Sequence, residues 1–150
     1  MCSSDLALSE YREKVIETIG EKKEKEVQDA IAKDQIEKNP ISNNTVILTG
    51  KGNTLCYDSF SGRYFRSDIE KIRKAENILN KQMFSDMYMS LNEFYGLIDL
   101  EPTDVGSQIG WSMDDGLLEI EFSAQLSEDD EPCLVMSFSQ HPRYNYYKFG

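Results

Sequence analysis

The sequence predicts an α+β domain: a charged N-terminal helix, a small antiparallel sheet of about five strands in two hairpins, and two packed helices between them. Three observations support this class. In several segments apolar residues recur every three to four positions, which is typical of amphipathic helices. In others they alternate with polar residues, which is typical of half-buried strands. The chain of 150 residues, with seven Phe, eight Tyr and one Trp, is long enough for one modest core.

The first six residues do not resemble the rest of the chain. Residues 2–6, Cys-Ser-Ser-Asp-Leu, can be encoded by TGC TCT TCC GAT CT, which matches the end of a common sequencing adapter. We therefore interpret residues 1–6 as a read-through artefact joined to a natural frame that starts further upstream. On this hypothesis Cys2 has no function, and a membrane tether can precede the sequence.

Residues 7–38 predict a charged, solvated helical stalk. Apolar residues lie at helical spacing along its first half: Leu8, Tyr11, Val15 and Ile19. Residues 21–26 are all charged, and Val27 and Ile31 then resume the apolar stripe. Asn39-Pro40 ends the helix, because proline disfavours helical geometry in the residue before it. We expect residues 39–150 to form a single α+β domain.

The domain begins with a predicted β-region and continues into two helices. Residues 45–49, 54–59 and 63–66 favour strands, the last two joined by a tight turn at Phe60-Ser61-Gly62. Residues 67–70 (SDIE) predict a capping box, with Ser67 and Glu70 satisfying free amides at the start of a helix. That helix runs from Ile69 to about Phe84, with this apolar face: Ile69, Ile72, Leu79 and Met83.

A second capping box, residues 90–93 (SLNE), opens a shorter helix that carries Leu91, Phe94, Tyr95 and Ile98. The chain then returns to β-structure. Alternate positions are apolar along the next strand: Leu118, Ile120, Phe122, Ala124 and Leu126. An acidic loop, residues 127–132, connects it to a partner strand at 133–139. The aromatic tail, residues 143–149, is expected to pack back over the sheet.

The charge distribution excludes one class of partner. The formal net charge is −11, and residues 101–150 carry ten acidic residues against Arg143 and Lys148. An acidic surface repels phosphate, so we expect no direct binding to nucleic acid. Solubility alone explains such charge. An alternative is an inhibitor that imitates nucleic acid and binds a basic host nucleic-acid enzyme.

No pattern in the sequence predicts a metal or cofactor site. The three cysteines, Cys2, Cys56 and Cys133, are far apart, and His141 is the only histidine. A zinc site needs four ligands, usually in close pairs. Sparse cysteines suit a reducing compartment, so we expect a cytoplasmic location, with Cys56 and Cys133 as small apolar strand residues.

Candidate functional residues are few. His141 could serve as a general base, with Cys56 or a serine as the nucleophile, but no nucleophile-elbow pattern accompanies it, so we predict that the protein is not an enzyme. A hydrolase that uses His141 stays the alternative. Aromatic residues and arginine favour protein interfaces, which predicts these contact residues: Trp111, Arg143, Tyr144, Tyr146 and Tyr147. Trp111 is also the best candidate for a core anchor.

Three stretches carry a resemblance to a known family: SEYREKVIE, FSGRYFRSDIEKIRKAENILNKQM and SLNEFYGLIDLEPTDVGSQIGWSMDDG. Over residues 7–122 the chain resembles the soluble C-terminal portion of an uncharacterised family, a domain of unknown function, from bacterial and phage genomes. The resemblance implies a phage or prophage accessory protein, tethered to a membrane by upstream segments. It carries no catalytic residue. We therefore expect a non-enzymatic domain for protein interaction or scaffolding, with an unknown protein partner and an oligomeric state that the sequence leaves open.

Overall fold

The computed structural model describes residue 20 and residues 22–50 and 52–148. Within these residues the chain forms three α-helices and eight strands. In chain order they are α1 (residues 22–38), β1 (Ile47–Leu48), β2 (Thr54–Asp58), β3 (Arg63–Ser67), α2 (Ile69–Asp86), β4 (Tyr88–Ser90), α3 (Leu91–Leu97), β5 (Ile109–Ser112), β6 (Ile120–Leu126), β7 (Pro132–Phe138) and β8 (Arg143–Tyr144). Short 3-10 turns lie at Ile41–Asn43 and Met113–Asp115.

The larger sheet has five strands in the order β1-β3-β2-β7-β6, which confirms the predicted α+β class. The hairpins β2–β3 and β6–β7 are antiparallel, as predicted. The prediction of a wholly antiparallel sheet was wrong, because β1 pairs with β3 and β2 pairs with β7 in parallel. The parallel pair β2–β7 is possible because α2, β4, α3 and β5 lie between the two hairpins in the chain, and parallel neighbours need a long crossover.

The five-stranded sheet is covered on both faces. One face packs against α2, α3 and a three-stranded sheet in the order β4-β5-β8, around a core that includes Phe65, Leu79 and Met136. The other face packs against α1 through Ala32 and Ile36. The fold therefore has three layers, with the sheet in the middle.

The second half of α1 is part of the core on its own face of the sheet, although the sequence predicted a solvated stalk. Ala32 and Ile36 are 4% and 5% exposed, whereas Val27 and Ile31 are more than half exposed. Asn39, just after α1, donates hydrogen bonds to the Tyr57 hydroxyl (3.2 Å) and the Gly62 carbonyl (3.0 Å). These bonds fix the end of α1 to the β2–β3 hairpin. The predictions for residues 1–19, including the artefact at 1–6, lie outside the described residues, as does Phe149.

Helix α2 starts as predicted, but a different residue caps it. The Asp68 side chain accepts a hydrogen bond of 3.1 Å from the Glu70 amide. The predicted capping box on Ser67 was wrong, because Ser67 is the last residue of β3 and is fully buried. The capping box at Ser90 and Glu93 is confirmed, with both reciprocal hydrogen bonds present. It starts α3, whose buried side chains complete the first core.

Candidate functional site

The aromatic tail is held as an edge strand of the small sheet. β8 pairs with β5 in antiparallel fashion, with Tyr144 opposite Ile109 and Arg143 opposite Gly110. Beyond β8, Asn145 takes a positive φ of 60°, and the Lys148 amide closes the following turn by donating to the Asn145 carbonyl. The tail is therefore a defined part of the fold up to residue 148.

Arg143 is fixed by polar contacts on several sides. Its Nε lies 3.0 and 2.8 Å from the two carboxylate oxygens of Asp115, and its Nη2 donates to the Ser112 hydroxyl at 2.9 Å. Its Nη1 donates to the Asn145 carbonyl at 3.2 Å. Burial raises the pKa of Asp115, but hydrogen bonds from Arg143 and the Ser112 amide outweigh this, and the net pKa is lowered. Asp115 is thus the acidic partner of Arg143.

The three tail tyrosines differ in exposure. Tyr144 is 59% and Tyr147 is 49% exposed, whereas Tyr146 is only 7% exposed. The Tyr146 hydroxyl donates to the Ser107 carbonyl at 3.1 Å, and its ring meets the edges of Tyr88 and Tyr147. We call the exposed Tyr144 and Tyr147, together with the half-buried Arg143, the tyrosine surface.

Trp111, also predicted as a contact residue, lies in the core and is 1% exposed. Its indole nitrogen donates to the Gln140 carbonyl at 2.8 Å, and its ring packs edge-on against Phe94 and Phe138. Trp111 is therefore a core residue, and Tyr146 supports the surface through its contact with the Tyr147 ring. A partner can reach Tyr144, Tyr147 and part of Arg143.

A polar cluster that the sequence did not reveal lies under the β2–β3 turn. Asp58 is fully buried, and its carboxylate accepts hydrogen bonds of 2.6 Å from both the Tyr95 and the Ser61 hydroxyls. The amides of Phe60 and Ser61 also point to it, each at 3.3 Å. Arg63 stacks its guanidinium 4.7 Å from the centre of the Tyr95 ring.

The cluster around Asp58 has the contacts of a structural element. Four protein donors contact the carboxylate, three at Oδ2 and one at Oδ1, so its main partners are neighbouring side chains and amides of the same fold. Burial, followed by the charge of Asp58, raises the pKa of Tyr95, which keeps its hydroxyl protonated as the donor. One signal in the sequence could have predicted part of this cluster. Asp58 lies three positions before Ser61 in a turn, a spacing at which an Asp side chain often bonds to the turn.

His141 is exposed and lies at the rim of a groove between α1 and the strands β6 and β7. The groove has a volume of about 270 Å³, and Ser59, Ser137 and Ser139 also line it. Among the described residues, no hydrogen bond or ion pair joins His141 to a nucleophile. A general base must be within hydrogen-bond reach of the proton it removes, so the geometry gives the hydrolase alternative no support.

The two described cysteines are buried in the sheet, as predicted for small apolar strand residues. Burial raises the pKa of Cys56 to about 11 and that of Cys133 to about 12. Cys56 lies in the core between the five-stranded sheet and α2, and Cys133 lies in the core between the sheet and α1. The described residues contain no group of three or more metal-binding side chains and no helix that is long and apolar enough to cross a membrane.

Fold and contacts together define a three-layer α+β domain whose buried carboxylate, Asp58, is held by neighbouring donors. The chain belongs to a family of unknown function, DUF6353, whose model matches residues 2–147. The matched region includes residues 2–6, so the family match adds no support to treating that segment as foreign. Neither a curated protein nor a solved structure matches the chain significantly.

Proposed function

We propose that this chain is a non-enzymatic protein-interaction domain of a phage or prophage accessory protein, and that its tyrosine surface contacts the partner. The observation that carries the proposal is the combination of exposure and fixation in β8 and the turn that follows it. Tyr144 and Tyr147 project into solvent, while Arg143 beside them is held by Asp115 and Ser112. Tyrosine and arginine dominate the binding energy of many protein interfaces.

Ordering a flexible side chain on binding costs about 0.5–1.5 kcal/mol, so a surface that is ordered before the partner arrives loses less free energy on binding. The backbone on both sides of Tyr144 is already fixed, by strand pairing with Ile109 and by the Arg143 hydrogen bonds. A partner therefore meets two tyrosine rings on an ordered backbone. This arrangement favours a tight contact over a small area.

The chemistry of the surface indicates what kind of partner fits. The charge of Arg143 is largely neutralised by Asp115, so the rings present apolar area with polar hydroxyl tips. We infer a folded protein partner with an apolar patch bordered by hydrogen-bonding groups. The unpaired Cys56 and Cys133 favour a reducing, cytoplasmic setting.

A site-specific photocrosslinker tests the proposal. The full chain is prepared with p-benzoylphenylalanine in place of Tyr147, and as a control in place of Phe60, which is 40% exposed on the β2–β3 turn. Crosslinking in the native host should capture one partner from position 147 and not from position 60.

The captured protein is then purified, and its Kd is measured by calorimetry. Tyr144→Ala and Tyr147→Ala should each weaken binding roughly tenfold or more, and Phe60→Ala should leave it within about twofold. Equal binding by all three variants would contradict the proposed surface. Crosslinking from both positions alike would indicate non-specific capture and count equally against it.

A further inference from the structure

Strand β6 lies at one edge of the five-stranded sheet, and its pairing with β7 fixes which backbone groups face outward. The Ser127 amide donates to the Glu131 carbonyl, and the Ser139 amide donates to the Glu119 carbonyl. In an antiparallel ladder the residues that bond to the neighbour alternate with residues that point away. Odd-numbered residues of β6 therefore bond to β7, and even-numbered residues direct their amide and carbonyl groups outward.

Helix α2 covers the first part of this outer edge with side chains. Asn80 accepts from the Leu118 amide at 2.9 Å and donates to the Leu118 carbonyl at 2.8 Å. Glu76 accepts from the Ile120 amide at 2.6 Å, and Arg73 donates to the Ile120 carbonyl at 2.7 Å. Three side chains of α2 thus take the place of a neighbouring strand at Leu118 and Ile120.

The cover ends after Ile120, where the Arg73 guanidinium stacks 4.9 Å from the centre of the Phe122 ring. Within residues 22–50 and 52–148, no hydrogen bond reaches the outward backbone groups of Phe122, Ala124 or Leu126. Ala124 is exposed and Leu126 is 64% exposed, although both continue the apolar alternation of the strand. An open apolar edge of this kind is a template for another strand.

The composition of the open edge suits pairing with the same edge of a second copy of the chain. Residues 122–127 (FSAQLS) carry no charge, within a C-terminal third that is otherwise strongly acidic. Antiparallel pairing about a two-fold axis at Ala124 places Phe122 opposite Leu126 of the second copy and Ala124 opposite its own equivalent. Each facing pair exchanges two backbone hydrogen bonds and sets apolar against apolar side chains.

The surroundings of the edge match the same register. The strand ends at Leu126, and the exposed acidic turn of Glu128, Asp129 and Asp130 follows. In the two-fold arrangement this turn lies beside Ile120 of the second copy, where Arg73 of α2 donates to the Ile120 carbonyl and pairs with Glu76. Each acidic turn thus comes next to Arg73 of the other copy at both ends of the pairing, which favours this register over shifted ones.

We propose that two copies of this chain associate through the outer edges of β6, antiparallel about Ala124, to form one continuous ten-stranded sheet. The count follows from two sheets of five strands. This inference is independent of the tyrosine surface, which lies on the other sheet. Among the described residues, side chains of α2 protect the edge only at Leu118 and Ile120, and the open part at residues 122–126 is available for self-pairing.

Charge placed at Ala124 tests both the interface and its register. In Ala124→Lys and in Ala124→Glu, like charges face each other across the two-fold axis, so sedimentation equilibrium should show dimers weakened roughly tenfold or more. An equimolar mixture of the two variants places Lys opposite Glu and should recover the wild-type affinity as a heterodimer. Leu48→Lys on β1, the opposite edge of the same sheet, is the matched control and should dimerise as the wild type does.

Amide hydrogen exchange on the wild-type chain provides a second measurement that needs no variant to fold. The amides of Phe122, Ala124 and Leu126 should become protected as the protein concentration rises, while those of Ser123 and Gln125 are protected throughout. A wild-type chain that stays monomeric up to about 1 mM would overturn the proposal. The proposal would also be overturned if both charged variants dimerise as tightly as the wild type. A mixture of the two variants that dimerises no more tightly than either variant alone would overturn it as well.

Discussion

The Tyr95 hydroxyl donates a hydrogen bond of 2.6 Å to the Asp58 carboxylate, and both side chains are fully buried. This contact joins α3 to the β2–β3 hairpin across 37 residues of sequence. A buried carboxylate without donors is costly, and here four donors offset that cost. The contact therefore links the correct folding of the hairpin to the docking of α3.

Removing the Tyr95 hydroxyl should destabilise the fold. Tyr95→Phe keeps the ring and leaves a buried carboxylate with one donor fewer, so we expect a loss of about 1–3 kcal/mol in the free energy of unfolding. Urea unfolding followed by circular dichroism measures this. The matched control is Tyr144→Phe, the same change on an exposed ring, which should stay within about 0.5 kcal/mol of the wild type. Equal stability of the two variants would mean that the Asp58 contact contributes nothing.

The ion pair between Asp115 and Arg143 should make stability depend on pH in the acidic range. The folded pKa of Asp115 lies below its ordinary value of 3.8, so the unfolded chain takes up this proton first as the pH falls. The stabilisation is therefore complete well above pH 3.8 and is lost as the pH falls through the lower folded pKa.

Asp115→Asn isolates this contribution. Its free energy of unfolding should be lower than that of the wild type by roughly 1 kcal/mol at neutral pH, and the difference should shrink at acidic pH. Asp114→Asn, at the exposed neighbouring position, should follow the wild-type curve. A difference that is constant from pH 7 to about pH 3 would contradict the assignment.

The two buried cysteines should resist thiol reagents in the native protein. Reaction needs an accessible thiolate, and burial raises both pKa values far above neutral. In a Cys2→Ser variant, a chromogenic disulfide reagent at about pH 8 should label neither thiol until denaturant unfolds the chain, and should then label both. Because Cys56 and Cys133 face opposite cores, oxidation should not join them within one chain. Rapid labelling of the native variant would show that one core opens easily.

Local patterns in the sequence predicted the helices and the paired hairpins well. The extent of α2 follows from its apolar spacing, and the Ser90 capping box follows from two residues three positions apart. The capping box was placed on Ser67 in error, because Asp68 is an equally good capping residue and Ser67 is the last residue of β3. Local propensity cannot resolve such a competition between a strand and a helix for one residue.

Long-range contacts explain what the sequence could not show. The parallel pairing of β2 with β7 joins segments about 80 residues apart, and no local pattern encodes it. The same holds for the Asp58 cluster, since Tyr95 comes from a different element. The alternation in β6 predicted a half-buried strand, but only the sheet order reveals that Ala124 and Leu126 lie beyond the core on an open edge.

Close approach of β4 to β5 requires glycine at position 110. A Cβ atom on Gly110 would lie 2.1 Å from the Met89 carbonyl oxygen, a backbone atom that cannot move without shifting β4. Gly110→Ala should therefore destabilise the fold by about 2 kcal/mol or more. Gly96→Ala in α3, where a Cβ meets nothing within 4 Å, should be neutral or stabilise by up to about 1 kcal/mol. Thermal unfolding of both variants tests the contrast, and similar melting temperatures would contradict it.

Asn80 should contribute to stability, because among the described residues it alone supplies both side-chain hydrogen bonds to the Leu118 backbone. Asn80→Ala leaves an amide and a carbonyl without these partners, so we expect a loss of about 1–3 kcal/mol in the free energy of unfolding. The control is Asn77→Ala, one turn earlier and exposed, where the higher helix propensity of alanine should give no loss or a slight gain. The amide exchange of Leu118 should also accelerate in Asn80→Ala and not in Asn77→Ala. Unchanged exchange at Leu118 would show that α2 does not protect this edge.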